Sequence, residues 1–144
     1  MSKFGKGNQS DAQATSVESP DSARNLEMTL LMRNVNDHVE KKQNLSYLSW
    51  AWAWAEALKA DPGANYKVHT FNDAKHEVVP YMSIGATAMV WVDVTLGTRT
   101  RTCWLPVMDH RNRPIENPDA FQVNTAIMRC LTKCLGMFGL GLYI

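Results

Sequence analysis

The sequence predicts an α+β fold, a short antiparallel β-sheet (β-β-β) flanked by helices. Two patterns carry this reading. Residues 88–96 (AMVWVDVTL) and 99–105 (RTRTCWL) alternate apolar and polar positions on either side of Gly97-Thr98, as a hairpin with one buried face does. The stretch from Asn124 to Leu142 instead repeats its apolar positions at helical spacing.

Taken in order, residues 1–25 (MSKFGKGNQSDAQATSVESPDSARN) are rich in Ser, Gln, Asp, Gly and Ala, show no periodicity and read as a flexible arm. Residues 26–144 form the expected core. From Leu26 to Val39, apolar residues at Leu26, Leu30, Leu31, Val35 and Val39 predict a short helix packed by one side, which Lys41-Lys42-Gln43-Asn44 then ends. Ser49 is placed to cap a second helix, Trp50–Ala60, stopped by Asp61-Pro62-Gly63. Its tryptophans alternate, but the alanines between them and the strong stop favour a helix over a strand.

Beyond Gly63 the period changes to two. Tyr66–Phe71 predicts a strand with Asn72-Asp73 as its turn, and Val78–Ile84 a weaker one interrupted by Pro80. The hairpin 88–105 follows, with Arg99, Arg101 and Cys103 on one face of its second strand and Thr100, Thr102 and Trp104 on the other. Pro106 ends that strand, and Val107–Ala120 is a polar, proline-bearing loop with Arg111 and Arg113. The last helix starts at Pro118 or Phe121 and runs to Met137. At about 100° per residue, Thr125, Arg129, Thr132 and Lys133 share a narrow polar face, opposite Ile127, Cys130, Leu131, Cys134 and Phe138. A guanidinium and an ammonium one turn apart, flanked by hydroxyls, suit a line of phosphates, although cations on a helix are more often a solvated face.

Composition narrows the function classes. A chain of 144 residues with 45% hydrophobic content makes one domain able to bury its own core. No apolar run approaches about 18 residues and no charged-then-apolar leader is present, so a soluble intracellular protein is expected. Three cysteines, two of them inside a helical core pattern, argue against a disulfide framework. The net charge is only +1, yet from Arg99 onward there are six cations (Arg99, Arg101, Arg111, Arg113, Arg129, Lys133) against three acids (Asp109, Glu116, Asp119). Local excess, not the total, decides binding to a polyanion.

Evidence for catalysis is thin. Asp93 in a strand and Asp109 with His110 on a loop lack a second carboxylate at a fixed short spacing, so a metal-dependent nuclease is the weaker alternative. The Cys130–Cys134 spacing fits core packing better than zinc, and Gly139 and Gly141 follow a helix, unlike a dinucleotide fingerprint. The consecutive cations from Arg99 to Lys133 could instead line one groove along a phosphate backbone, with Trp52, Trp91, Trp104 and Tyr47 as possible stacking surfaces, although each such aromatic is more often a core or subunit contact. No base-reading motif stands out, which favours sequence-independent binding. A structural protein that self-assembles without regard to a polyanion is the third alternative.

Three motifs in the same order carry a resemblance. The run from Asn34 to Lys42 with Leu45–Trp54, the segment Leu105-Pro106-Val107-Met108-Asp109, and the helix from Ile127 through Phe138 to Ile144 resemble phage single-strand annealing proteins of the Sak type, related to the Erf, RecT and Redβ proteins. The resemblance spans about residues 30–144 and implies a β-β-β-α core. It implies a non-enzymatic, nucleotide- and cofactor-independent protein without bound metal that acts in recombination in the cytoplasm of a bacterial host. Its ring or helical filament would hold single-stranded DNA, and the annealed duplex intermediate, in a basic groove. It further implies an acidic segment and variable tail beyond Ile144, where a phage exonuclease or host single-strand binding protein would be met.

On that basis Arg129 and Lys133 are expected as the principal phosphate contacts, with Thr125 beside them. Arg99, Arg101, Arg111 and Arg113 are secondary, and Lys41 and Lys42 a weaker pair. Trp52 and Tyr47 are expected in assembly or stacking.

Overall fold

The computed structural model describes residues 20–34, 39–42 and 45–140, with side chains at 25–34, 39 and 49–140. The elements run α1 (Pro20–Met32), β1 (Val39–Lys42), β2 (Leu45–Leu48), α2 (Trp50–Ala60), β3 (Asn65–Val68), β4 (Phe71–Asn72), β5 (Val78–Val79), β6 (Met82–Ile84), β7 (Thr87–Leu96), β8 (Arg99–Pro106) and α3 (Ala120–Gly136). The fold is α+β with antiparallel sheets, as the periodicities indicate.

The main sheet is built around β7. Strand β8 pairs with it from Met89↔Pro106 to Leu96↔Arg99, while β3 pairs at Asn65↔Thr95 to Val68↔Val92 and β6 at Met82↔Met89 to Ile84↔Thr87. All pairings are antiparallel. Strict alternation along β7 sends Val90, Val92, Val94 and Leu96 to one face, where they are buried, and leaves Trp91, Asp93 and Thr95 on the other. Against the buried face lies α3 with Val123, Ala126, Ile127, Cys130, Leu131, Cys134 and Leu135 turned inward. Each of the larger buried side chains contributes about 1.5–3 kcal/mol by leaving water. The apolar face expected of this helix is the face that is buried.

The helix opens with a capping box that its sequence spells out: Asp119 Oδ1 accepts from the Gln122 amide at 2.9 Å, and Gln122 Oε1 accepts from the Asp119 amide at 3.0 Å. Behind α3 lies α2, which buries Ala53 and Ala57, small enough to allow close helix approach. Ser49 stands at the N-cap, but its side chain makes no capping bond. Glu56, buried to 5% exposure, is held by Arg33 (2.8 Å) and Lys59 (3.0 Å), which ties the end of α1 to α2.

Two expected elements differ, and one hairpin was not expected. The first helix begins at Pro20, whose fixed φ suits an opening helical position, and ends at Met32, not Val39. Val39 instead begins β1, paired with β2 from Val39↔Leu48 to Lys42↔Leu45. Residues 35–38, over which the expected helix continued, lie outside the described residues. The expected strand Tyr66–Phe71 divides into β3 and β4, and β4 pairs with β5 in a small separate hairpin around Asp73, whose carboxylate accepts from the Lys75 and Glu77 amides. Residues 1–19 of the expected arm lie outside the described residues.

Candidate nucleic-acid interface

One outer face of α3 presents a row at every fourth residue: Phe121, Thr125, Arg129, Lys133 and Met137. Phe121, 78% exposed, and Met137 bracket a polar centre. The two cations are steadied differently. Lys133 Nζ donates to the main-chain carbonyl of Trp104 at 3.0 Å and stands 6.0 Å from the centre of that indole. Arg129 Nη2 reaches Asn112 Oδ1 at a long 3.4 Å. Neither cation has a carboxylate partner among the described residues, so both charges are available to an outside anion.

Asn112 belongs to the loop that carries Arg111 and Arg113. A bridge between Met108 and Pro114 closes this loop, and Asp109 organises it: its Oδ1 accepts from the Arg111 amide at 2.8 Å and the Arg113 amide at 3.0 Å. The Arg113 amide, helped by that of Arg111 and by the nearby cations, holds the Asp109 carboxyl below its ordinary value. Asn112 takes a φ of 60°, a left-handed conformation that Asn tolerates. The result is a tight tip with both arginine side chains exposed beside α3, Arg113 in ion-pair contact with Asp109 at 3.4 Å.

The structure therefore brings Arg111, Arg113, Thr125, Arg129 and Lys133 to one side of the molecule. Arg99 and Arg101 stand apart from them. They share the face of β8 that also carries buried Cys103, as their alternation requires, and both meet Glu27 of α1, at 2.9 and 2.6 Å. Arg101 also lies 5.0 Å over the Phe138 ring. The Arg101 hydrogen bond, with that of Arg99, pulls the Glu27 carboxyl below its ordinary value despite partial burial. Two guanidiniums on one carboxylate form a charge-assisted anchor for α1.

Trp52 sits on α2, partly buried against the core, with the Arg33 guanidinium 6.0 Å over its ring. Lys41 and Tyr47 fall in β1 and β2, in register with Ser46 and Glu40, and Lys42 ends β1; the side chains of all three lie outside the described residues. Asp93 and Asp109, the carboxylates considered for metal chemistry, are engaged separately. Burial pushes Asp93 up, but the Thr102 hydroxyl at 2.6 Å and His69 at 2.8 Å bring it below its ordinary value. The His69 contact has ion-pair distance without hydrogen-bond alignment. Among the described residues, no three His, Cys, Asp or Glu side chains gather where a metal ion could be held, and no helix is long and apolar enough to cross a membrane.

Sequence reasoning missed the exposed aromatic at the start of the row, Phe121, and Asn112, which links loop to helix. The four-residue spacing signalled the first; nothing local signalled the second.

The family model of the Sak single strand annealing protein matches residues 26–144. The chain belongs to that family. Membership assigns it a role in annealing single strands and binding single-stranded DNA, and places the face just described on a Sak-family core. No curated protein matches the chain.

Proposed function

We propose that this Sak-family protein anneals complementary DNA strands without nucleotide or metal, during phage recombination in the bacterial cytoplasm, and that it works as a homo-oligomer. The observation that carries the reading is the row of cations on one side of the molecule: Arg129, Lys133 and Arg111 have no carboxylate within ion-pair reach among the described residues, and Arg113 lies beside them. A single strand laid along this row would have its phosphates partly neutralised, which removes the repulsion that slows pairing with a second strand. The work is alignment, with base pairing and counterion release as the energy source. Each subunit offers only a few cations, so useful affinity comes from many such rows acting together in one oligomer. In this reading Arg99 and Arg101 hold α1 in place, and the strand runs past the α3 face. An exonuclease and a host single-strand binding protein are the proposed partners.

The test is the annealing of two complementary labelled oligonucleotides in excess EDTA, without nucleotide, over a salt series. Acceleration that fades with salt while both strands stay intact is expected. An unaccelerated rate, or strand cleavage on adding a divalent metal, overturns the reading.

A further inference from the structure

The face of β8 turned away from α3 carries a tryptophan that the core does not use. Trp104 is 52% exposed, the most exposed of the five tryptophans. Its cross-strand partner Trp91 lies directly opposite it in register, yet the two are treated differently by the fold. Phe71, from the β4–β5 hairpin, covers Trp91 with ring centres 5.4 Å apart, whereas no ring covers Trp104 among the described residues. A half-exposed indole at the edge of a sheet leaves a large apolar surface in water.

What stands beside it identifies the occupant. Lys133 reaches around the edge of β8 to the Trp104 carbonyl, so its ammonium and the indole belong to one small site, 6.0 Å apart. Lys133 is also the end of the cationic row, so the site continues the proposed strand path. A flat apolar surface beside a fixed cation matches one nucleotide, with its base at one end and its phosphate at the other. A second copy of this chain is the poorer match, because it would have to bring an apolar surface against the Lys133 charge.

We propose that Trp104 seats one unpaired base of the bound single strand by stacking, with Lys133 holding an adjacent phosphate. The inference rests on the annealing reading above and adds to it a preference for bases that are free of their own stack. Stacking is indifferent to base identity, so the site accepts any sequence. A duplex, whose bases are covered above and below, has no free face to offer.

The experiment compares the affinity of the full chain for an oligothymidine and for an abasic oligomer of the same length and charge. The comparison is made in the unsubstituted protein, W104A, W104F and K133A, with oligomer mass followed by light scattering. In the unsubstituted protein the oligothymidine is expected to bind about tenfold more tightly than the abasic strand. W104A is expected to erase most of that preference and W104F to keep most of it. K133A weakens both oligomers alike and lowers the salt slope. A W104A protein that keeps the full preference overturns the proposal, as does one in which both oligomers weaken equally and the assembly mass falls, which would make this face a subunit contact. If W104A fails to fold, W104F decides: loss of preference in a ring-conserving variant overturns stacking. Failure of the unsubstituted protein to bind either oligomer overturns the annealing reading itself, a result distinct from binding both equally, which overturns only the base seat.

Discussion

Lys133 and Arg129 sit one turn apart on α3, and their charges face outward because Cys130, Leu131 and Cys134 face in. Replacing both by Ala should weaken single-strand binding and reduce the slope of log K against log salt concentration by about 1.4, at about 0.7 for each phosphate that is no longer neutralised. Titrations between low and moderate salt measure this, and an unchanged slope removes both from the DNA path. These two residues were legible because helical period alone decides which side chains share a face. The role of Arg99 and Arg101 was not, because Glu27 lies 72 and 74 residues away in the chain. Glu27 also predicts a pH effect. Its pKa in the fold is depressed below 4.5, so its contribution is present above that value and is lost as pH falls through the lower folded value. Glu27→Gln should therefore lower the melting temperature near pH 7, and the gap to the unsubstituted protein should shrink at pH 3.

At the level of elements, α3 is the most self-contained. Asp119→Ala removes its capping box and is expected to cost about 1 kcal/mol, read as a lower denaturant midpoint with an unchanged slope. The joint after α3 is less forgiving. Gly139 has φ 111°, and an added Cβ would lie 3.1 Å from the Glu27 carbonyl and from Leu31 Cβ, so Gly139→Ala should destabilise the docking of α1 and lower the melting temperature. The strands β7 and β8 were readable because one face of each is buried and the other is not, and α2 because its alanines and stop signal are local. The hairpin of β1 and β2 was not readable: four-residue strands are too short for a period, and leucine and valine continue a helical spacing as readily as they fill a strand.

For the molecule as a whole, the core closes over Cys130 and Cys134, whose thiols burial pushes up to about 12. At pH 8 both therefore stay protonated in the folded protein. Alkylation of these two positions by iodoacetamide should be negligible in native buffer and should follow the global unfolding transition in urea. The sequence alone showed the antiparallel core and the helix that covers it, whereas the anchoring of α1 depends on contacts between distant segments. Those contacts also sort the charges. Arg33 and Lys59 meet Glu56, and Arg99 and Arg101 meet Glu27, while Arg129 and Lys133 meet no acid among the described residues. A chain of net charge +1 is thus electrically lopsided. A distant polyanion feels little overall pull from it but does feel a torque, which turns the α3 face toward the strand before contact and raises the fraction of encounters that arrive in a usable orientation.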